Sequence, residues 1–137
     1  MIEYSYQKEF VFNNQNSISN WLSAVIVAEN YKEDTINYIF CDDNYLFELN
    51  VKHLKHNTLT DIITFNYNLG KTISTDIFIS IDRVVENAQK FDVDFENELH
   101  RVMIHGILHL CGYNDKTDDE KSLMRNKEDY YLSLLAV

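Results

Sequence analysis

The chain has 137 residues, 12 basic and 22 acidic, a formal net charge of −10, and 45% apolar residues. That length predicts one domain, residues 1–137, with a substantial core, and the apolar share excludes a disordered chain. No apolar run is long enough to span a bilayer, and the start Met-Ile-Glu-Tyr-Ser-Tyr lacks the charged-then-apolar build of a signal peptide, so a cytoplasmic protein is expected.

Residues 2–12, rich in aromatics, read as a first strand. Ile18, Trp21, Leu22, Val25 and Ile26 recur at helical spacing after an Asn/Ser cap region, which predicts a helix to about Asn30. Ile36, Tyr38 and Phe40 alternate as a second strand, and Asp42 or Asp43 caps a helix carrying Tyr45, Leu46 and Leu49. Ile63, Phe65 and Tyr67 mark a third strand and Ile77, Ile79 and Ile81 a fourth. The turn-like Asn68-Leu-Gly70-Lys between them predicts antiparallel neighbours. Val84, Val85 and Ala88 mark a short helix, and Asp94 caps a longer one. Thr117-Asp-Asp-Glu120 fits a capping box for a last helix through Leu123, Lys127, Tyr130 and Leu134. The acidic run Asp118, Asp119, Glu120 is then explained by the helix N-terminus, not by metal binding. This order predicts an α+β domain: a small, mostly parallel or mixed sheet of about four strands.

Residues 99–111 form an apolar helical run with Val102, Met103, Ile104, Ile107, Leu108 and Leu110 on nearly all sides, as expected of a buried central helix. His105 and His109 lie one turn apart on one face of it. Gly112 follows, where a left-handed residue ends a helix and turns the chain back, and the reversal can carry Asp115 toward the histidines. His, His and Asp are all metal-ligand types, and three protein ligands leave zinc an open position. The pattern H-G-x-x-H-x-x-G-x-x-D is close to the metzincin signature, with Gly106 replacing the general-base Glu and Asp115 the third His. Glycine inside a helix costs about 1 kcal/mol against Ala, so a strand, a substrate backbone or tight packing should lie close to Gly106. His100 falls on roughly the opposite side and is expected to be structural or solvent-facing. Cys41 and Cys111 read as reduced core residues, with Cys111 turned away from the metal.

His105-Gly-Ile-Leu-His109-Leu-Cys-Gly112-Tyr113 resembles the signature of the YbeY family of bacterial rRNA-maturation endoribonucleases, H-G-x-L-H-L-x-G-Y-D-H. Leu49-Asn50, Thr60-Asp-Ile-Ile-Thr-Phe65 and Asp76-Ile-Phe-Ile-Ser80 resemble its other blocks in the same order. The resemblance implies a zincin-like fold, a sheet against a central ligand-bearing helix. It also implies a metal-dependent, single-strand-specific endoribonuclease involved in 16S rRNA 3′-end maturation and ribosome quality control. Its partners would be ribosomal RNA and the small ribosomal subunit or associated factors. Three positions depart from the family: Asp115 stands for its last His, Asn114 for the preceding Asp, and Leu54 for an arginine suited to charge on the cleaved phosphate.

Metal ligands are therefore expected at His105, His109 and Asp115, which act in catalysis through one bound ion. Zn²⁺ leads, with Mn²⁺ or Mg²⁺ favoured somewhat by the carboxylate. Without a Glu at position 106 the metzincin route to peptide hydrolysis is missing, whereas phosphodiester cleavage depends more on charge neutralisation at the phosphate. A net charge of −10 excludes a broad basic surface, so RNA must be gripped locally or with a partner's help. The one basic concentration, Lys52-His53-Leu54-Lys55-His56, supplies the candidate contacts Lys52, Lys55 and His56, or else is a solvated helix end. The alternatives are a metzincin-like peptidase or amidase with a distant base, and a non-catalytic ribosome-assembly factor with a structural metal.

Overall fold

A computed structural model describes residues 1–54 and 59–135, with only the backbone of Leu54. Four strands, β1 (Ile2–Tyr6), β2 (Lys32–Cys41), β3 (Ile62–Asn66) and β4 (Thr72–Ser80), form one sheet in the order β1-β2-β4-β3. β1, β2 and β4 are parallel, and β3 joins β4 antiparallel with Ile62 opposite Ile79 and Phe65 opposite Asp76. The sheet is thus mixed, and the antiparallel pair closes through the expected turn.

Among the described residues five α-helices accompany it: α1 (Gln15–Ala28), α2 (Asp43–Leu49), α3 (Ile81–Lys90), α4 (Phe95–Leu110) and α5 (Asp118–Ser133). A π-helical turn, Asn50–Leu54, extends α2. Period-two alternation decides which sheet face meets which helices. Ile36, Tyr38, Phe40, Ile73, Ile77 and Ile79 enter the main core with α1 and α4, while Ile63, Phe65 and Phe78 face the other way onto Leu46 of α2. Tyr38 is fully buried and donates its hydroxyl to the Met103 carbonyl at 2.9 Å, tying sheet to α4 where an unpaired phenol would be costly. Trp21 donates its indole N–H to the Tyr131 carbonyl at 2.8 Å, which joins α1 to α5.

Several boundaries differ from expectation for local reasons. β1 stops at Tyr6 because its partner strand ends: Tyr6 pairs with Phe40, and Asp42 caps α2, its side chain accepting from Tyr45 N. The rest of that aromatic segment packs by side chains, Phe10 and Phe12 each 5.2 Å from the Phe40 ring. Ile81 opens α3 instead of ending β4, because Ser80 caps the helix by accepting from Arg83 N. Asp94 sits at the N-cap of α4 but makes no side-chain capping bond. The capping box of α5 is present, with Glu120 N to Thr117 Oγ1 at 3.1 Å and Thr117 N to Glu120 Oε1 at 2.9 Å.

α4 is buried on nearly every side, as its composition requires. Gly106 is the point of closest approach to the sheet. A Cβ there would lie 3.0 Å from Ile62 Cδ1 and 3.4 Å from both Ile77 Cδ1 and Thr64 Oγ1. Strand side chains therefore account for the glycine. His100 is 5% exposed, edge-on to Trp21, and burial holds its pKa below the usual imidazole range, so it is a structural residue.

Both cysteines are free, and burial pushes each thiol up to about 12. Since the thiolate is the nucleophile, neither should react with iodoacetamide at mildly alkaline pH until the chain unfolds. Mass spectrometry of the folded protein should find both unmodified, and rapid labelling of either would contradict the burial described.

Candidate metal centre

Beyond its exposed first turn, one stripe of α4 escapes burial. Arg101, His105 and His109, successive at i, i+4, are only partly covered, whereas residues 102–104 and 106–108 are buried. The helix ends in a Schellman arrangement: Tyr113 N bonds the Leu108 carbonyl at 3.1 Å and Gly112 N the His109 carbonyl at 3.0 Å, with Gly112 at φ +98°. That left-handed step turns the chain back and lays Asp115 over the histidines. Asn114 lies instead beside Glu120 of the α5 capping box, where with the Thr117 backbone N–H it helps hold that carboxyl below its usual range.

The structure brings His105, His109 and Asp115 together. Nε2 of His105 and Nε2 of His109 are 3.0 Å apart, and Asp115 Oδ2 is 3.3 Å from the first and 3.4 Å from the second. Four ligands placed tetrahedrally at about 2.0–2.1 Å are about 3.3–3.4 Å from one another, so the three atoms already have the spacing of a coordination face.

Proton positions point the same way. His109 Nδ1 lies 2.8 Å from the Tyr113 carbonyl, which can only accept, so that nitrogen carries the hydrogen. His105 Nδ1 lies 2.7 Å from Glu128 Oε2 and donates to the carboxylate. Both Nε2 atoms are therefore left with lone pairs aimed at one another. Only a shared cation or a proton relieves that, and the three atoms can hold a divalent metal ion. When bound, such an ion acidifies a water and polarises a phosphoryl or carbonyl oxygen. Burial pulls the His105 pKa down, but Glu128, Asp115 and Asp61 outweigh it, so the imidazole is held above its usual range.

Sequence reasoning misses Glu128. It is 4% exposed, and its other oxygen accepts from Arg101 at 2.9 Å, while Arg101 also reaches Asp129 at 2.6 Å. A signal exists: Met124, Glu128 and Tyr131 are the buried residues of α5, so the one carboxylate on that inward stripe needs a partner. A second support is Glu29, at the end of α1. It accepts from Tyr113 at 2.7 Å, from Tyr131, and from Lys127 at 3.4 Å. This anchors the very residue whose carbonyl orients His109. Asn68 completes the frame, donating to the Leu110 carbonyl at 3.0 Å.

A cleft of about 430 Å³ opens at the site, lined by Asp61, Glu98, Arg101, His105, Asp115, Lys121, Arg125 and Glu128 among others. Burial raises the carboxyl pKa of Asp61 and of Glu98. Lys52 is exposed on the π-helical turn and borders a shallow hollow with Phe47, Glu48 and Val51, not the cleft. Lys55 and His56 lie outside the described residues.

Glu128→Gln should weaken metal retention about 10- to 100-fold, the usual effect of losing a ligand's hydrogen-bonded carboxylate. Chelator competition measures it, and unchanged retention would remove Glu128 from the site. Burial opposes the Glu29 charge, but the two tyrosines and Lys127 prevail and its pKa is lowered from 4.5. Its stabilisation is therefore present above that value and lost as pH falls through the depressed one. Glu29→Gln should cost about 1.5–3 kcal/mol near neutrality, and denaturant melts should show the difference from wild type shrinking in acid.

Residues 2–136 match the family described as Endoribonuclease YbeY. The chain is 54% identical to a Flavobacterium johnsoniae protein of that name, covering 100% of this chain and 99% of the relative. A Flavobacterium psychrophilum protein of the same name is 56% identical, covering 100% and 98%. A solution structure of a Thermotoga maritima protein matches with a TM-score of 0.69 at 27% identity, covering 97% of this chain and 87% of that one. A shared fold, a full-length sequence match and the helix-borne histidine pair lead to one conclusion: the chain belongs to the YbeY endoribonuclease family.

Proposed function

We propose that residues 1–137 act as one domain, a metal-dependent endoribonuclease that cuts single-stranded ribosomal RNA, with one Zn²⁺ held by His105, His109 and Asp115. The carrying observation is the pair of Nε2 lone pairs 3.0 Å apart with a carboxylate oxygen 3.3 and 3.4 Å away. Two imidazoles favour zinc over Mn²⁺ or Mg²⁺, for which Asp115 alone argues. The ligand-bearing helix beneath a small mixed sheet supports a zincin-like class.

The chain's own residues divide the work. Glu128 and the Tyr113 carbonyl hold the Nδ1 hydrogens and so keep both Nε2 atoms aimed at one point. Asp115 adds negative charge to that point. Gly106 offers no base, and Ile62, Ile77 and Thr64 crowd the space where one would begin. This favours chemistry that depends on charge at a phosphate over chemistry that needs the metzincin Glu. The relatives carry a nuclease name, which leaves the peptidase and non-catalytic alternatives without support.

From the family resemblance we assign the 3′ end of 16S rRNA as substrate, the small ribosomal subunit or its associated factors as partner, and the cytoplasm as setting. Free cysteines suit that setting. Among the described residues no helix is long and apolar enough to cross a membrane. Lys52, Lys55 and His56 remain the proposed outer RNA contacts.

Purified protein should cleave single-stranded RNA and leave structured RNA and casein intact. Chelator and His109→Ala should each abolish the cleavage. Elemental analysis without added metal should find about one zinc per chain. Casein cleavage, or RNA cleavage that survives both controls, would overturn the reading.

A further inference from the structure

The cleft beside the ligand triad holds cations that the metal site does not use. Three arginines occur in the chain, and two are engaged. Arg83 pairs with Asp43 and Glu86, and Arg101 with Glu128 and Asp129. Arg125 alone makes no hydrogen bond or ion pair among the described residues, and it lines the cleft. Lys121, one helical turn earlier on the same face of α5, is likewise unpaired among the described residues and lines the same cleft. By contrast Lys127, on the same helix, is bonded to Glu29. Exposed lysines on a helix are ordinarily just solvated. Here the exposed pair stands on the wall of the cleft that contains His105 and Asp115.

We propose that Arg125 and Lys121 are the phosphate-binding residues of the cleft, holding the backbone of single-stranded RNA across the metal centre. The assignment rests on the endoribonuclease reading and deepens it. Arg125 presents a planar fork matched to two phosphate oxygens, and Lys121 a point charge suited to a neighbouring phosphate. Asp61, Glu98, Asp115 and Glu128 leave the cleft negative with protein groups alone; a dication tips it positive. Metal and phosphate grip are thereby coupled, and a protein of net charge −10 obtains a local electropositive track without a basic surface. Both side chains are exposed, so substituting them leaves the fold intact.

The test is a titration of the metal-loaded full chain against a fluorescein-labelled, 2′-O-methyl single-stranded oligoribonucleotide, checked intact by gel. Arg125→Gln should raise Kd about tenfold and Lys121→Gln about threefold. For the double variant the slope of log affinity against log salt should fall by about 1.4, or about 0.7 for each phosphate no longer neutralised. Arg125→Lys should recover part of the affinity. In cleavage of unmodified RNA the rise should appear in KM. Lys52→Gln should change binding less than either cleft variant. A double variant that binds like wild type with an unchanged salt slope would overturn the assignment, as would Lys52→Gln alone accounting for the loss. If wild type neither binds nor cleaves RNA, the endoribonuclease reading fails first, a result separate from a variant that binds normally.

Discussion

Two imidazole lone pairs held face to face are the constraint on which this structure turns. Each Nδ1 already gives its hydrogen away, one to Glu128 and one to the Tyr113 carbonyl, so neither ring can flip without breaking a good bond. Both Nε2 atoms must then point at the same place. A protein does not keep such a repulsive arrangement unless something positive occupies it. The Asp115 carboxylate, brought in by the Gly112 reversal, completes the demand for positive charge.

That constraint reaches outward through the fold. Glu128 of α5 is buried and fixed by Arg101 from α4, so the two helices cannot separate without exposing a charge-bonded pair. Tyr113 is held by Glu29 at the end of α1, and Trp21 of α1 bonds the backbone of α5. On the opposite side the sheet presses on Gly106, leaving the stripe Arg101, His105 and His109 uncovered beyond the exposed first turn. The site is therefore a seam between α4, α5 and the Gly112 turn, with the sheet as its backing.

The electrostatics follow the same geometry. Lys8, Arg83, Arg101 and Lys127 are paired with carboxylates, which neutralise their charge. Lys121 and Arg125 make no such pair among the described residues, and of the unpaired cations these two line the cleft beside His105 and Asp115. An acidic nuclease domain is physically consistent on those terms, because a local cluster of unpaired cations can attract a phosphate without a basic surface.

Local chemistry makes much of this legible. The apolar run around His105 and His109 announces a buried helix, Gly112 its reversal, and Thr117 with Glu120 the next start, since each is decided by residues within a turn of one another. Aromatic alternation carries the first strand too far past Tyr6, because it says nothing about where the neighbouring strand ends. Lys52 stands out in the chain because it sits in a basic cluster, whereas Lys121 and Arg125 are ordinary helix-surface residues until α5 is docked against α4. The sequence by itself determined the three ligand types and their approach to one another. Only the tertiary structure decided which carboxylate orients His105 and which cations border the cleft, because Glu128, Arg101 and Arg125 meet across helices that no short-range pattern connects.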